Sequence, residues 1–332
     1  MVKVVIVTGS GRSGTSSVAG TLKRLGCRIP QPEVSADEHN PRGYYEPRWT
    51  TRFHARWLKA IPVRDVDARP DAAEIAMGTL DDEREALLRD WLVEELSGHP
   101  DEEAVVIKET RAYWVYPLWQ RVSAAAGAEL TSLTMLRHPT AVVRSRDTKH
   151  LTGFDRLRRQ REIANVAAWM NSVFVTERAT RDNPRAFVRY VDLVGDWRTA
   201  ITRAGDQLGL ELGDLSAPHD VDEFISPSLN HAPDTWEGLS VPSALVDLAE
   251  ATWAAAARLV ESPYDTAACA ELDRLAEEYD ALYAMAAAIA SDETAAQVRA
   301  AKGMLEERLT RKNERIEKLR AQVRSLRGGT DD

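Results

Sequence analysis

Glycines, hydroxyl side chains and one arginine are concentrated in the segment GSGRSGTSS, residues 9–17, directly after a short apolar run. Glycine at positions 9, 11 and 14 lets the backbone turn tightly, so that successive N–H groups and the start of a following helix can point at one anion. Serine and threonine hydroxyls add further donors. The segment therefore predicts an anion-binding loop, whose candidate ligands are Ser10, Gly11, Arg12, Ser13, Gly14, Thr15 and Ser16.

The loop lacks the lysine of a nucleoside triphosphate site, in which Lys and Ser/Thr follow the last glycine. Here Gly14 is followed by Thr15 and Ser16, and no acidic residue about 20 positions further on completes a dinucleotide fingerprint. Arg12 instead carries a permanent charge on a planar fork, which can bracket the oxygens of a phosphate–sulfate or phosphate–phosphate anhydride. We therefore expect this loop to bind a shorter anion than a triphosphate.

A second candidate anion site lies in MLRHPTAVVRSR, residues 135–146. Pro139 suits the first position of a helix. Arg137 then stands at the end of the preceding strand, and Ser145 lies about two turns into the helix. A long arginine and a short hydroxyl placed in this way can meet on one phosphate group.

Four apolar runs, with amphipathic stretches between them, must position these residues. The predicted strands are Lys3–Thr8, Ala104–Glu109, Leu130–Leu136 and Ala186–Leu193. Strands that alternate with helices favour right-handed crossovers, so we expect an α/β fold: a P-loop-like parallel sheet flanked by helices on both faces. Ligands of such sheets bind beyond the carboxyl ends of the strands, which is where both candidate anion sites fall.

Together, the two segments resemble the sulfotransferases that use 3′-phosphoadenosine 5′-phosphosulfate (PAPS), in particular bacterial carbohydrate sulfotransferases. The resemblance implies that residues 10–17 bind the 5′-phosphosulfate, and that Arg137 and Ser145, eight positions apart, bind the 3′-phosphate. The stretch RYVDL resembles the family's Tyr-acidic stretch, which implies that Tyr190 lies near the adenine. The stretch FISPSLNHA resembles a late loop that closes over the nucleotide, with Asn230 where a basic residue is common.

The chain departs from the family pattern at two positions. The first loop of the family often carries lysine where Arg12 stands, and its second motif often has an acidic residue where Thr140 stands. Neither change removes a phosphate donor. The resemblance covers about residues 1–235 and leaves the C-terminal part of the chain outside it.

The resemblance also implies a reaction: transfer of a sulfuryl group from PAPS to an acceptor hydroxyl without a metal. The acceptor would be a small molecule or glycan, most simply a carbohydrate or a glycosylated metabolite. Such a transfer needs positive charge on the departing phosphate and a base for the acceptor proton. Arg12 and Lys108 are the candidates for the charge; Glu46, in NPRGYYEP, is the candidate base, and His54 is the alternative.

The composition is that of a globular protein and does not suit a nucleic-acid-binding or a membrane-spanning one. The chain has 332 residues, 44% of them apolar, which is enough for a large core. Its formal net charge of −9 does not suit a nucleic-acid-binding protein. No stretch approaches the roughly 20 apolar residues of a membrane span, and Cys27 and Cys269 lie far apart without a partner motif. We therefore expect a cytoplasmic protein with neither a nucleic-acid partner nor a membrane span.

The chain is predicted to divide into an α/β domain, residues 1–265, and a helical extension, residues 266–332. The first contains an irregular acceptor-side insertion at about residues 31–75. In about residues 298–327, apolar side chains alternate at spacings of three and four, a heptad pattern of about three repeats that Lys312 interrupts. The residues of this pattern are Leu305, Leu309, Ile316, Leu319, Val323 and Leu326.

Three interpretations of the C-terminal pattern stay open. The segment is a coiled coil that forms a homo-oligomer, a solvated helix packed on its own domain, or a basic contact with an anionic surface or partner. Residues 301–327 contain nine Lys/Arg and four Glu, so the segment is basic in an acidic chain.

Two other functions also stay open. A phosphate-loop kinase of small molecules would bind magnesium and a triphosphate, for which the loop has no lysine. A non-catalytic nucleotide-binding scaffold would bind the nucleotide and present its C-terminal helix to partners.

Overall fold

The computed structural model describes residues 1–38, 40–99, 103–147, 155–226 and 233–327. The strands are β1 (Lys3–Thr8), β2 (Ala104–Lys108), β3 (Glu129–Leu136) and β4 (Arg185–Arg189). In the described residues they form one sheet of order β2-β1-β3-β4, in which every pair of neighbours is parallel. The predicted parallel α/β fold is therefore confirmed.

Helices fill the connections between the strands and form most of the described chain after β4. In the described residues they are α1 (Thr15–Arg24), α2 (Arg48–Ala60), α3 (Ala72–Gly78), α4 (Asp82–Ser97), α5 (Tyr116–Ala125), α6 (Pro139–Asp147), α7 (Asp155–Ala179), α8 (Tyr190–Gly195), α9 (Trp197–Leu208), α10 (Val221–Phe224), α11 (Ser243–Arg258), α12 (Thr266–Ile289) and α13 (Ser291–Arg327). A 3₁₀ turn, Ala112–Val115, precedes α5.

Both faces of the sheet are buried. Successive side chains of a strand point to opposite faces, so alternate residues of β1 lie in two different cores. Val5 and Val7 of β1 pack in a core with α1, α8 and α9. Val4 and Ile6 pack in a second core with α2, α4 and α5. A strand buried on both faces needs a continuous apolar run, and β1 has one. The prediction of helices on both faces is confirmed.

Two sequence predictions differ from the structure. The fourth strand was predicted to reach Leu193, but it ends at Arg189, and Tyr190 begins α8. The sequence did not show this boundary, because a short run of Tyr, Val and Leu suits a buried helix as well as a strand. The insertion at residues 31–75 is not irregular throughout, because it contains α2. Aromatic residues recur every four positions in α2, at Trp49, Phe53 and Trp57, which is a helical spacing.

The chain divides into two compact units, Met1–Tyr279 and Asp280–Asp332. The first unit ends within α12, and the division near residue 265 into independent domains stays a prediction. The second unit consists mainly of α13, whose exposed apolar side chains include Val298, Met304, Leu305, Leu309, Ile316 and Leu319. A helical C-terminal extension is therefore confirmed, whereas its coiled-coil pairing stays a prediction.

Among the described helices, none is both long enough and apolar enough to cross a membrane.

Candidate active site

Every strand of the sheet ends beside a residue or segment predicted to bind or react. Lys108 is the last residue of β2, and the glycine-rich loop follows β1. Arg137 comes directly after β3, and Tyr190 comes directly after β4. Because the strands are parallel, their carboxyl ends lie at one edge of the sheet. The fold thus brings four segments that are distant in sequence to the same edge.

The loop after β1 has a tight backbone conformation at three positions. Gly9, Arg12 and Gly14 have φ angles of 131°, 74° and 98°, in the region that favours glycine. A Cβ atom on Gly9 would lie 2.5 Å from the Met135 carbonyl oxygen, so only glycine fits there. Gly14 precedes α1 and has no side chain to cap it, so the first N–H groups of α1 are left as donors for an anion.

The predicted ligands of the loop differ in exposure. Arg12 is exposed, and Gly11, Gly14 and Ser16 are half-buried. The side chains buried beneath them are Ser10, Ser13 and Thr15. The accessible surface of the loop therefore consists of backbone, one hydroxyl and the Arg12 guanidinium.

The two predicted anion sites touch each other. Arg12 Nε donates to Ser145 Oγ at 3.0 Å, and Arg137 Nη1 donates to the Arg12 backbone oxygen at 3.1 Å. Burial lowers the pKa of Arg137, and the neighbouring charge of Arg12 acts in the same direction. Two guanidinium groups this close repel each other, so an anion placed between them would be stabilised by both.

Arg146 holds the loop from the side of α6 and was not predicted. Its Nη2 donates to the Gly11 backbone oxygen at 3.0 Å and to Ser10 Oγ at 3.2 Å, while Nη1 donates to Asn165 Oδ1 at 3.2 Å. Its only sequence signal is its position next to Ser145. A guanidinium that bonds the loop backbone fixes the direction in which the loop N–H groups point.

Tyr190 packs directly on the loop. A Cβ atom on Gly14 would lie 2.2 Å from Tyr190 Cδ2, so the missing side chain of Gly14 is what admits the ring. Arg137 Cζ lies 4.4 Å from the centre of the same ring. Burial raises the pKa of Tyr190. The end of β4 is thereby fixed against the loop that follows β1.

The insertion before α2 contacts both the sheet edge and the loop. Lys108, which is buried, forms an ion pair with the half-buried Glu46. The other carboxylate oxygen of Glu46 accepts a long hydrogen bond from Thr51 Oγ1, at 3.5 Å. Asn40 Nδ2 donates to Ser16 Oγ at 3.2 Å. The insertion that carries the predicted base thus also contacts the predicted loop.

Tyr44, two residues before the predicted base, is hydrogen-bonded within the insertion. Its hydroxyl donates to Asp37 Oδ1 at 2.8 Å. Burial raises the pKa of Tyr44, as do the charges of Asp37 and Glu46, while the Arg12 charge opposes them. Tyr44 is therefore within electrostatic reach of both Glu46 and Arg12.

His54 belongs to a buried cluster beneath this edge. Its Nδ1 contacts the Thr50 backbone oxygen at 2.9 Å, and its Nε2 accepts from Trp119 Nε1 at 3.3 Å. Glu109 lies 3.5 Å from His54 Nδ1; burial would raise the pKa of Glu109, but His54 and Arg111 lower it to about 2. With both ring nitrogens engaged and only 1% of its side chain exposed, His54 has no free nitrogen for an acceptor. The geometry favours Glu46 over His54 as the base.

Asn230, the predicted residue of the late loop, lies outside the described residues. Among the residues that are described, no group of three or more His, Cys, Asp or Glu side chains is placed to hold a metal ion.

No protein-family model and no curated protein sequence matches the chain. The solved structures that it is similar to include the sulfotransferase domain of the Synechococcus PCC 7002 olefin synthase, at 19% identity over 75% of this chain and 93% of that one, with a TM-score of 0.42. A second is the sulfotransferase domain from the curacin biosynthetic pathway, at 16% identity over 84% and 97%, with a TM-score of 0.37. A third is a sulfotransferase from Alicyclobacillus acidocaldarius, at 16% identity over 78% and 94%, with a TM-score of 0.40. Identities and TM-scores this low do not show which family the chain belongs to.

Proposed function

We propose that the protein transfers a sulfuryl group from PAPS to an acceptor hydroxyl. The observation that carries this proposal is the contact between the two predicted anion sites, in which Arg12 meets Ser145 and Arg137. The 5′- and 3′-phosphates of one nucleotide are attached to the same ribose, so their binding sites must be neighbours. A loop for one phosphate beside an Arg/Ser pair for another satisfies that condition.

In this proposal, the loop N–H groups and Arg12 bind the 5′-phosphosulfate, and Arg137 and Ser145 bind the 3′-phosphate. The exposure of Arg12 and the uncapped start of α1 support the first assignment. Tyr190 beside the adenine, and Asn230 in a loop over the nucleotide, are proposals that rest on the sequence resemblance.

The reaction step is an in-line displacement at sulfur. The acceptor oxygen forms a bond to sulfur while the bond between sulfur and the 5′-phosphate oxygen breaks. The electron pair of that bond stays on adenosine 3′,5′-bisphosphate, and the acceptor proton passes to Glu46. Arg12 and Lys108 supply positive charge for the departing phosphate, so no metal is required.

Glu46 is assigned as the base because it is half-buried at the sheet edge, with Lys108 as its partner, whereas both nitrogens of His54 are engaged. We expect Glu46→Gln to lower kcat by about 10²–10⁴-fold, since general base catalysis contributes that much. The affinity for adenosine 3′,5′-bisphosphate should stay within about threefold. The acceptor for this assay would come from a screen of extracts with labelled PAPS. Unchanged turnover at saturating acceptor would exclude Glu46 as the base.

Calorimetry tests the donor assignment, with adenosine 3′,5′-bisphosphate compared with ATP and magnesium. We expect Arg137→Gln to weaken the bisphosphate by about 10–100-fold, the usual loss of a charged hydrogen bond. Its affinity for adenosine 5′-monophosphate should change far less, because this ligand has no 3′-phosphate. Arg161→Gln, at an exposed position of α7, is the matched control.

If the chain binds ATP with magnesium but does not bind the bisphosphate, the proposal is contradicted and a phosphate-loop kinase is favoured. Binding of the bisphosphate without turnover of any acceptor would favour a nucleotide-binding scaffold.

The remaining parts of the proposal follow the sequence. The acceptor is a carbohydrate or a glycosylated metabolite, as the resemblance implies. The exposed apolar side chains of α13 support self-association through this helix, which light scattering of the full chain against a chain ending near residue 290 would test. Neither Cys27 nor Cys269 forms a disulfide bond, which supports a reducing compartment such as the cytoplasm.

A further inference from the structure

A groove of about 540 Å³ runs along α2, between this helix and the beginning of α4. Small-molecule sites have volumes of about 300–1,000 Å³, so the groove is large enough for one. Its apolar lining includes Trp49, Phe53, Trp57 and the half-exposed Leu87. None of these residues belongs to the proposed PAPS site.

The aromatic rings of the groove pack on each other. Trp49 is stacked between Trp91, at 4.8 Å and an interplanar angle of 3°, and Phe53, at 5.2 Å and 9°. Trp57 is buried, and its indole N–H donates to Thr79 Oγ1 at 2.9 Å. Because both faces of Trp49 are covered, it offers no free ring face for a sugar to stack on. The groove instead offers an apolar floor.

Among the described residues, two arginine side chains of the groove have no hydrogen-bond or ion-pair partner. Arg52 and Arg56 are exposed and one turn apart on α2, and in the described part of the chain neither makes a hydrogen bond or an ion pair. Arg84, on the opposite side, is by contrast paired with Asp81. Like charges four residues apart on a helix repel each other. An anion between Arg52 and Arg56 would remove that repulsion.

The groove as a whole is positively charged. Four arginines and two carboxylates line it, whereas the chain as a whole has a formal net charge of −9. A positively charged groove in an acidic protein is complementary to an anionic ligand.

The groove lies along the helix that follows the proposed base. Helix α2 starts at Arg48, two residues after Glu46, and Thr51 of its first turn contacts Glu46. Arg52 and Arg56 lie about 6 and 12 Å further along the helix axis, at 1.5 Å per residue. A molecule whose hydroxyl lies at Glu46 can therefore extend along α2 to both arginines.

We propose that the groove binds the part of the acceptor that does not react. The acceptor then combines a hydroxyl, an apolar body and an anionic group, either a carboxylate or a phosphate, which lies roughly 10 Å from the hydroxyl. A glycosylated metabolite with an apolar, acidic aglycone fits this description. The inference rests on the proposed function for the position of the reacting hydroxyl, whereas the anion site itself rests on the groove alone.

The test uses three naphthalene probes with the full-length chain: 2-naphthyl phosphate, 2-naphthoate and the neutral 2-naphthamide. Calorimetry is carried out with saturating adenosine 3′,5′-bisphosphate, so that the phosphate loop is filled. The test variant is Arg52→Gln/Arg56→Gln, and the matched control is Arg159→Gln/Arg161→Gln on the exposed face of α7. Circular dichroism of each variant checks that the fold is retained.

We expect at least one anionic probe to bind the unmodified chain, and its affinity to fall by about tenfold or more in Arg52→Gln/Arg56→Gln. The control variant should bind it within twofold, and the neutral probe should not distinguish the variants. Whichever anion binds more tightly identifies the group that the arginines recognise.

Failure of both anionic probes to bind would overturn the inference, as would an equal loss in the control variant. Displacement of the probe by adenosine 3′,5′-bisphosphate would also overturn it, because the probe would then lie in the loop. If the bisphosphate itself does not bind, the proposed function fails. The same titration of the probes without the bisphosphate still tests whether the groove binds an anion. The two failures are thereby distinguishable.

Discussion

The arginines at the sheet edge and those in the α2 groove differ in what they contact. Arg137 and Arg146 donate to backbone oxygens of the glycine-rich loop, so their charges also hold the loop in shape. Arg52 and Arg56 contact no partner among the described residues. At the edge, positive charge is positioned in advance by the fold. In the groove, it is kept available for a ligand.

The difference predicts that substitutions at the edge affect catalysis or stability strongly, whereas substitutions in the groove affect recognition alone.

Among the arginines, the strongest effect is expected for Arg12→Asn. Asparagine tolerates the positive φ of position 12 better than most residues, so the substitution removes the charge with little added strain. We expect kcat to fall by about 10²–10³-fold, the usual loss of one donor to a developing anion. Steady-state kinetics with PAPS and an identified acceptor measures this, with Arg161→Gln as control. A loss below fivefold would show that the edge cation is dispensable for catalysis.

We expect Glu109→Gln to lower the free energy of unfolding. Removing one member of a buried ion pair costs about 3–5 kcal/mol, and the buried carboxylate of Glu109 is paired with Arg111. Urea unfolding at pH 7 measures the change in the free energy of unfolding. Glu129→Gln, in a partly exposed pair with Lys3, is the control and should cost less than about 1 kcal/mol.

This stabilisation has a defined pH dependence. The pKa of Glu109 is about 2 in the folded protein, below its ordinary value of 4.5. A lowered pKa means that the stabilisation is fully present above pH 4.5 and is lost as the pH falls towards 2. The difference in the free energy of unfolding between the unmodified chain and Glu109→Gln should therefore shrink over that range. A difference that stays constant with pH would contradict the assignment.

The smallest effect on stability is expected for Arg52→Gln/Arg56→Gln. Exposed side chains without partners contribute little to folding, so the free energy of unfolding should stay within about 0.5 kcal/mol. The same urea titration measures it. A loss above about 1 kcal/mol would mean that these arginines support the fold, and the contrast with the sheet edge would disappear.

Local patterns were sufficient to predict the sheet and the tight glycine-rich turn after β1. Strands buried on both faces favour runs rich in apolar and β-branched residues, which identified β1 to β3 closely. Glycine spacing identified the loop, because only glycine fits at positions such as Gly9, where backbone approaches backbone. The eight-residue separation of Arg137 and Ser145 placed both on the loop side of β3 and α6. Each of these features depends on a few neighbouring residues.

Features that depend on distant residues were not predicted. The stack of Trp49 requires Trp91, which is contributed by a different helix, so neither helix alone shows that the ring faces are covered. Arg146 contacts the loop only because α6 packs beside it. The engagement of His54 likewise depends on Trp119 of α5. Residue types indicated which groups could react, and tertiary contacts decided which were still available.

Because Tyr190 packs on Gly14, we expect the rate at which its ring turns to report the motion of the glycine-rich loop. The ring packs on the loop at Gly14, and Arg137 covers one of its faces. We expect a half-turn of the ring about its Cβ–Cγ bond to need movement of the loop, so that the turning rate follows loop opening. Slow turning separates the nuclear magnetic resonance signals of the two ring edges. An anion that holds the loop in place would slow the turning further, so the line shape of one tyrosine would report how often the binding loop opens.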